Sequence, residues 1–443
     1  MAKEKKTTRE LTPEEKLARA LVPVEEQPYG VPENWCWTTV SKVSTVITGG
    51  TPSKKFPEYY GGEFPFFKPA DLDTGRHVFE ASEYLSNRGK ESARIIPAHS
   101  TAVCCIGSIG KSGYLEIEGA TNQQINSAIP HFNPLYQYYF MNTEFFVNQL
   151  WAKSSATTIS IVNKAKMEAC YFPLPPLAEQ QRIVDRIENL FAKLDEAKEK
   201  AQAVVDGFEL RRSAILHKAF TGELTEKWRQ TYGKKNSDWH MVCFDEVAEI
   251  KSNLVNPADY QDSPHIAPDN IEKKTGILLE YHTIAEDGVK SGNHRFYAGQ
   301  ILYSKIRPYL SKVITVDFDG LCSADMYPIN AKEYTRYLWY YMLADEFLVQ
   351  ASNAGSRSVL PKINQKELSK IMVHMTSLEE QQEIVTILDN IFEQEQQAKE
   401  AAEAVLAQID TMKKAILARA FRGELGTNDP EEESAEVLLR QII

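Results

Sequence analysis

The chain has 443 residues, 43% of them hydrophobic and 25% charged, the proportions of a soluble globular protein long enough for two or three cores. No apolar run approaches the roughly eighteen residues of a membrane helix, the charged N-terminal stretch does not read as a signal peptide, and six cysteines without a CxxC pair fit a reducing cytoplasm better than a zinc site or a disulfide framework. A net charge of −11 argues against a whole-protein footprint for nucleic acid, but the acid is concentrated towards the C-terminal end and the first globular region is near neutral.

Residues 1–34 form a charged arm. Thr12, with Pro13 next and Glu15 three positions on, is a capping box with proline at the first helical position, so a short helix is expected over 12–21. Block 35–174 follows, opened by Trp35. Its runs VSTVITGGTP, GEFPFFKPADL, IIPAHSTAVCCIGSIGKSGYLEIEG and ATNQQINSAIP read as short strands joined by glycine turns. One aromatic-rich helix is expected over 134–151.

A long helix is predicted across 175–224. Its apolar residues Ile183, Ile187, Leu190, Leu194, Ala197, Ala201, Val204, Phe208 and Ile215 step mostly by four and three, the seam of a coiled coil. Only Gly207 would interrupt a rod of about forty residues, roughly 60 Å long. Residues 225–238 are polar and read as a linker. Block 239–375 then repeats the grammar of the first: Trp239 echoes Trp35, AGQILYSKIRPYLSKVITV stands for IIPAHSTAVCCIGSIGKSGYL, CSADMYPI for TNQQINSAIP, and a second aromatic helix is expected over 335–351. A second long helix over 376–425 repeats the first, offset by about 201 residues, with Ile384, Leu388, Ile391, Ala398, Ala402, Val405, Ile409, Met412 and Ile416 as its seam. Residues 426–443 read as an acidic, mobile tail. The fold class is therefore α+β: two mixed α/β blocks separated by two long antiparallel coiled-coil helices, in a pseudo-two-fold internal repeat.

No catalytic constellation emerges. Cys105–Ser112, CIGSIGKS, has cysteine where a phosphate loop needs its first glycine and runs into an alternating strand, so it reads as a glycine turn. Phe132-Asn133-Pro134-Leu135-Tyr136 resembles the Asn-Pro-Pro-Tyr loop of adenine methyltransferases without its second proline, and reads as a turn capping the next helix. Pro268, Asp269, Glu272 and Lys274 read as a solvated loop, and the nine histidines show no ligand pattern. What recurs is a set of polar loops. The first block carries Thr51, Lys54 and Lys55; Ser108 and Lys111; Asn122, Gln123 and Gln124; and Lys153, Ser154, Ser155 and Thr157. The second carries Lys305, Arg307, Tyr309 and Lys312, then Ser356, Arg357 and Ser358. Lys, Arg, Ser and Thr suit phosphate oxygens, Asn and Gln can bond adenine, and Arg guanine. Each such loop is, on composition alone, more often a solvated turn; their recurrence in one order raises the functional reading.

The segments PLPPLAEQQRIV…LRRSAILHKAFTGELTEKW and SLEEQQEIV…MKKAILARAFRGEL resemble the conserved regions of the specificity subunit of type I restriction–modification systems. The tryptophan-led openings, TNQQINSAI and SKIRPYLSKV resemble that family's target recognition domains, and the likeness covers nearly all of the chain beyond about residue 30. The second copy departs where Met375-Thr376-Ser377 replaces Leu174-Pro175-Pro176. The resemblance implies a non-catalytic reader of double-stranded DNA, each recognition domain reading half of a bipartite asymmetric target. It implies that the paired helices set the spacing, and that two modification subunits, holding S-adenosylmethionine, dock and methylate adenine. Restriction subunits would add translocation and cleavage with ATP and magnesium. Two rival readings stand beside it: a coiled-coil scaffold binding only proteins, which leaves the duplicated polar loops unexplained, and a self-contained methyltransferase or nuclease, which needs a site that the sequence does not display.

Overall fold

The structure, a computed structural model, describes residues 11–155, 159–234, 238–354 and 361–443. It divides into Met1–Lys200 with Val405–Ile443, and Ala201–Ala404. Each unit thus contains one block and a stretch of each long helix.

In the first unit, strand Cys36–Thr39 pairs antiparallel with Tyr171–Leu174, which ties the block's beginning to its end and delivers the chain into the long helix. A four-stranded antiparallel sheet runs in the order Ser44–Thr48, Ile125–Pro130, Ser100–Cys104, Ser112–Leu115. A second sheet holds Glu83–Leu85, Tyr60–Phe67, Gly119–Thr121 and Ile95–Ile96, with one parallel pair between Tyr60–Phe67 and Gly119–Thr121. The other unit repeats this. His240–Cys243 pairs with Met372–Met375, and a four-stranded sheet runs Ala248–Ile250, Met326–Ala331, Ile301–Ser304, Val313–Thr315. A five-stranded sheet follows in the order Leu254–Val255, Asn293–Phe296, Gly320–Cys322, Pro264–Ile266, His282–Thr283.

Capping explains where helices begin, including one expected as a single element. Thr12 forms the anticipated capping box with Glu15 on helix Pro13–Ala20. The aromatic helix of the first block is two helices, Pro134–Met141 and Glu144–Lys153, because the Thr143 side chain accepts from Phe146 N–H and starts a new one. Its counterpart is likewise split, into Thr335–Leu343 and Asp345–Ala354. These helices bury large rings: Phe140 lies 4.6 Å from Phe172 and 5.3 Å from Phe421, and Phe220 lies 5.4 Å from Tyr337 and 5.0 Å from Tyr341. Each such ring contributes roughly 1.5–3 kcal/mol by burial. Phe220 and Phe421, at the ends of the two long helices, are therefore core residues of the block each helix finishes against.

The long helices run Leu177–Asp206 then Phe208–Phe220, and Leu378–Ala420. The second begins at the position matching the first despite Thr376-Ser377 standing for Pro175-Pro176. Gly207 interrupts the first only locally, since Gly207 N–H still bonds Ala203 O (3.1 Å) and Arg211 N–H bonds Gly207 O (3.0 Å). Within each unit the helical stretches pair antiparallel. In one, Arg182 bonds the Thr427 carbonyl (2.9 Å) while Asp195 binds Lys413 (2.5 Å). In the other, Phe208 lies under Lys399 (4.9 Å), Arg211 pairs with Glu395 (2.8 Å), and Arg212 stacks on Phe392 (4.0 Å).

The seam differs in part from the expected one. Ile183, Ile187, Phe208, Ile384, Leu388 and Ile409 are buried, and Leu190, Leu194, Val204, Ile391 and Ile416 are half-buried. Val405 is 42% exposed and Met412 44%, and Ala398 also faces outward. The contact row instead passes through Phe392, Glu395, Lys399, Ala402, Ile409 and Lys413. Long cationic side chains lay their stems on rings there, a packing that an apolar count does not register.

Two further expectations are corrected. The presumed linker carries helix Glu226–Tyr232, whose Arg229 is buried against Glu380. The presumed mobile tail carries helix Ala435–Ile442, with Ala435 and Leu439 fully buried in the first unit's core beside Leu17 and Ala20 of the N-terminal helix. Its amphipathic spacing, with Leu438, Leu439 and Ile442 on one side, gives this acidic segment an apolar face to dock.

Candidate nucleic-acid interface

In each block a hairpin, a turn and a later stretch of chain converge on one hub. In the first, the hairpin joining Ser100–Cys104 to Ser112–Leu115 is closed by Cys104 N–H on Lys111 O (2.7 Å). Cys105 N–H bonds Gln124 O (2.7 Å), Val162 N–H bonds Cys105 O (2.9 Å), and Gly107 N–H bonds Ser160 O (3.4 Å). The 121–124 turn also accepts Gly50 N–H at Thr121 O (2.8 Å), and Thr51 donates its hydroxyl to the Gln123 side chain. In the second block the same bonds recur: Ser304 N–H on Lys312 O (3.0 Å), Lys305 N–H on Asp325 O (2.9 Å), Ile363 N–H on Lys305 O (2.9 Å), Arg307 N–H on Pro361 O (2.8 Å). Short bridges Ile106–Ile161 and Ile306–Lys362 complete the match. The CIGSIGKS run is thus a hairpin turn, with Gly107 and Gly110 at φ 80° and 89°. Burial pushes the Cys105 thiol up to about 12, the behaviour of a packed rather than a reactive thiol.

The side chains at the hubs are differently occupied. In the first, Ser108, Gln123 and Ser155 are exposed, while Asn122 is buried and bonds Gln124 (3.0 Å). Lys111 pairs with Asp73 at 2.5 Å, and Ser155 bonds Ile161 through the backbone (3.1 Å). Ser154 caps the helix that ends at Lys153, whose ammonium lies 5.8 Å from the Tyr171 ring. Lys54 and Lys55 sit on an exposed turn leading from Thr51. In the second, Lys305 donates to Ala324 O (2.6 Å) and Lys312 to Pro268 O (2.7 Å), whereas Arg307 and Tyr309 project from the turn exposed. Thr157, Ser356, Arg357 and Ser358 lie outside the described residues.

Sequence reading missed three features. Lys362 pairs with Asp325 (3.2 Å) across the second hub. Buried His265 and exposed His282 share the Asp287 carboxylate, at 2.7 and 3.3 Å, although the first two are neighbours only through strand pairing. Arg295 lies between the rings of Tyr260 (5.5 Å) and Tyr297 (4.9 Å). Behind the second hub, burial and then the charge of Lys305 push the pKa of His294 below its ordinary value. For His265, His282, His294 and Arg295 the alternation of their strands is the one sequence hint; Tyr260, Asp287, Tyr297, Asp325 and Lys362 lie outside the strands and carry none.

A family profile described as the type I restriction modification DNA specificity domain matches residues 32–205 and 236–404. The chain belongs to this specificity family. The two matches each take in one block and the first part of the helix after it, the repeat that both units display. Among relatives, the type I restriction enzyme EcoDI specificity subunit of Escherichia coli is 39% identical over 67% of this chain and 73% of its own length. The EcoKI specificity subunit of Escherichia coli K12 is 24% identical over 93% of this chain and 95% of its own. A crystal structure of the HsdS subunit from Thermoanaerobacter tengcongensis shares the fold, with a TM-score of 0.64 at 19% identity, covering 90% of this chain and 100% of that one. Across the specificity family member described here, no helix among the described residues is long and apolar enough to cross a membrane.

Proposed function

We propose that this chain is the non-catalytic DNA reader of a type I restriction–modification complex, each hub reading one half of a bipartite, asymmetric duplex sequence. The observation that carries the reading is a single backbone hub built twice from the same hydrogen bonds and furnished with different side chains. Two dissimilar half-sites call for that arrangement, whereas a homodimer reads a palindrome. The relatives' names, as specificity subunits of restriction enzymes, support it. The polar and cationic residues placed at the hubs are the DNA-facing set, phosphate contacts fixing the pose and amide or guanidinium contacts the sequence.

The chemistry then lies on other chains. Two modification subunits bind S-adenosylmethionine and methylate adenine. Restriction subunits contribute ATP- and magnesium-dependent steps, and the complex works in the cytoplasm. The antiparallel helices serve as both spacer and docking surface. Exchanging residues 239–374 for those of another family member, co-expressing the complete system and sequencing the methylome tests the reading. One half of the methylated target changes and the other stays; a change in both halves, or in neither, counts against modular readout.

A further inference from the structure

Arg307 holds a backbone conformation that suits glycine. Its φ of 48° and ψ of 59° lie in the left-handed region, and Pro308 follows, which narrows the choices of the preceding residue further. The equivalent position in the first hub, fixed by the matching bonds to Pro361 and Ser160, is Gly107 at φ 80°. The same exchange occurs at the other end of the turn, where Ser311 at φ 44° stands for Gly110 at 89°. Ser311 is compensated, because its buried hydroxyl bonds Met342 O (3.4 Å). Arg307 is not: its side chain is exposed, and its guanidinium meets no hydrogen-bond, ion-pair or ring partner among the described residues. Its neighbours are spoken for, Lys305 on Ala324 O, Lys312 on Pro268 O and Lys362 on Asp325. A side chain that strains its own turn and meets no partner among the described residues points to a use outside the chain.

The geometry points to Arg307 as a specificity-determining residue of the second hub, reading a guanine in one half of the target through bidentate bonds to O6 and N7 in the major groove. This rests on the hubs facing DNA, as argued above. Arginine presents a rigid fork of donors that matches that edge, whereas lysine offers a point charge. Gly107 leaves the first hub without a counterpart, so the contact belongs to one half-site alone.

The test uses the full chain co-expressed with its modification subunits, as wild type, Arg307→Gly and Arg307→Lys. Each complex is assayed by thermal melting and by selection from duplexes randomised in both half-sites. Arg307→Gly melts at the wild-type temperature or above it. Its preference for guanine at one position falls about ten- to a hundredfold, with the other half-site and the gap unchanged. Arg307→Lys keeps more affinity than the glycine variant but loses most of the guanine preference. Three results overturn the assignment: a lower melting temperature for Arg307→Gly, which marks a structural role; an equal loss on all duplexes with a shallower salt dependence, which marks a phosphate contact; or an unaltered base preference. Exchange of residues 239–374 runs in parallel. If that exchange leaves the target unchanged, the wider reading fails, independently of Arg307.

Discussion

Trp35 donates its indole N–H to the Glu179 carboxylate at 2.7 Å, both side chains being buried. The second copy repeats the bond between Trp239 and Glu380 at 3.1 Å. The two carboxylates are then closed by different means. Glu179 accepts from Asn428 (2.9 Å) and Thr427 (3.3 Å), beyond the second long helix. Glu380 accepts from Thr225 (2.6 Å) and Thr376 (2.7 Å) and pairs with Arg229. In each unit the tryptophan opening the block, the start of the following helix and the segment after the other helix meet at one acid. A buried carboxylate is tolerated only when its lone pairs are filled, so this junction registers whether all three pieces are in place.

Removing the cation alone should expose that dependence. Arg229→Met leaves Glu380 buried with its charge unpaired and is expected to destabilise the second unit by about 3–5 kcal/mol. Adding Glu380→Gln, which keeps an acceptor for Trp239 and Thr225, recovers part of the loss. Urea unfolding of the three proteins measures this; coincident curves for wild type and Arg229→Met would show that the pair is not a stabilising contact.

The same acid predicts a pH dependence. Burial raises the pKa of Glu380, but hydrogen bonds from Thr225, Thr376, Arg229 and Trp239 outweigh it, and the net direction is down. A carboxyl depressed in the folded state contributes stability that is fully present above its unfolded value, about 4.3, and is lost as pH falls through the folded one. Wild type should therefore lose stability more steeply than Glu380→Gln on acidification below about pH 4.3. Parallel melting-temperature profiles for the two proteins across that window would sink this prediction.

Much of the architecture was legible in the sequence because it is written twice. The offset of about 201 residues exposed the repeat, the Thr12 box located the first helix, and the order of the loops matched the hairpin at 104–111 to the one at 304–312. The misreadings share a physical origin. Val405 and Met412 look like seam residues until Lys399 and Lys413 are seen laid over Phe208 and Phe191. Arg229 looks like a linker charge until its acceptor, distant in sequence, is placed beside it. The state of each hub cation was equally hidden. Lys111, Lys305 and Lys312 have the same composition signal as Arg307, and only their partners distinguish these engaged ammoniums from a guanidinium that meets none among the described residues.

The C-terminal helix offers a third test. Leu439 is fully buried, and the same segment contributes Glu432, whose carboxylate takes two bonds from Arg182, each 2.7 Å. Leu439→Ala is expected to cost about 2–5 kcal/mol, felt in the first unit. Ending the chain after Gly426 should do more, because it also strips Thr427 and Asn428 from Glu179. Hydrogen exchange on the complex would show new deprotection in the first block with residues 239–375 unaffected; unchanged protection in both would mean that the segment is a loose appendage after all.

The spacer role makes a prediction about DNA. One heptad advances a helix by about 10 Å, close to three base-pair steps at about 3.4 Å each. Inserting a heptad at matching points of both long helices preserves the three-four contact rhythm, since the phase of the seam returns after seven residues. The preferred gap between half-sites should then lengthen by about three base pairs, with each half-site unchanged because neither hub is touched. Inserting the heptad in one helix alone puts the helices out of step, removing facing pairs such as Arg211 with Glu395 and Asp195 with Lys413, and should abolish recognition rather than shift it. Selection from duplexes with randomised spacers reads all three constructions. An unchanged gap in the doubly extended protein, with affinity retained, would mean that something other than the helices sets the distance.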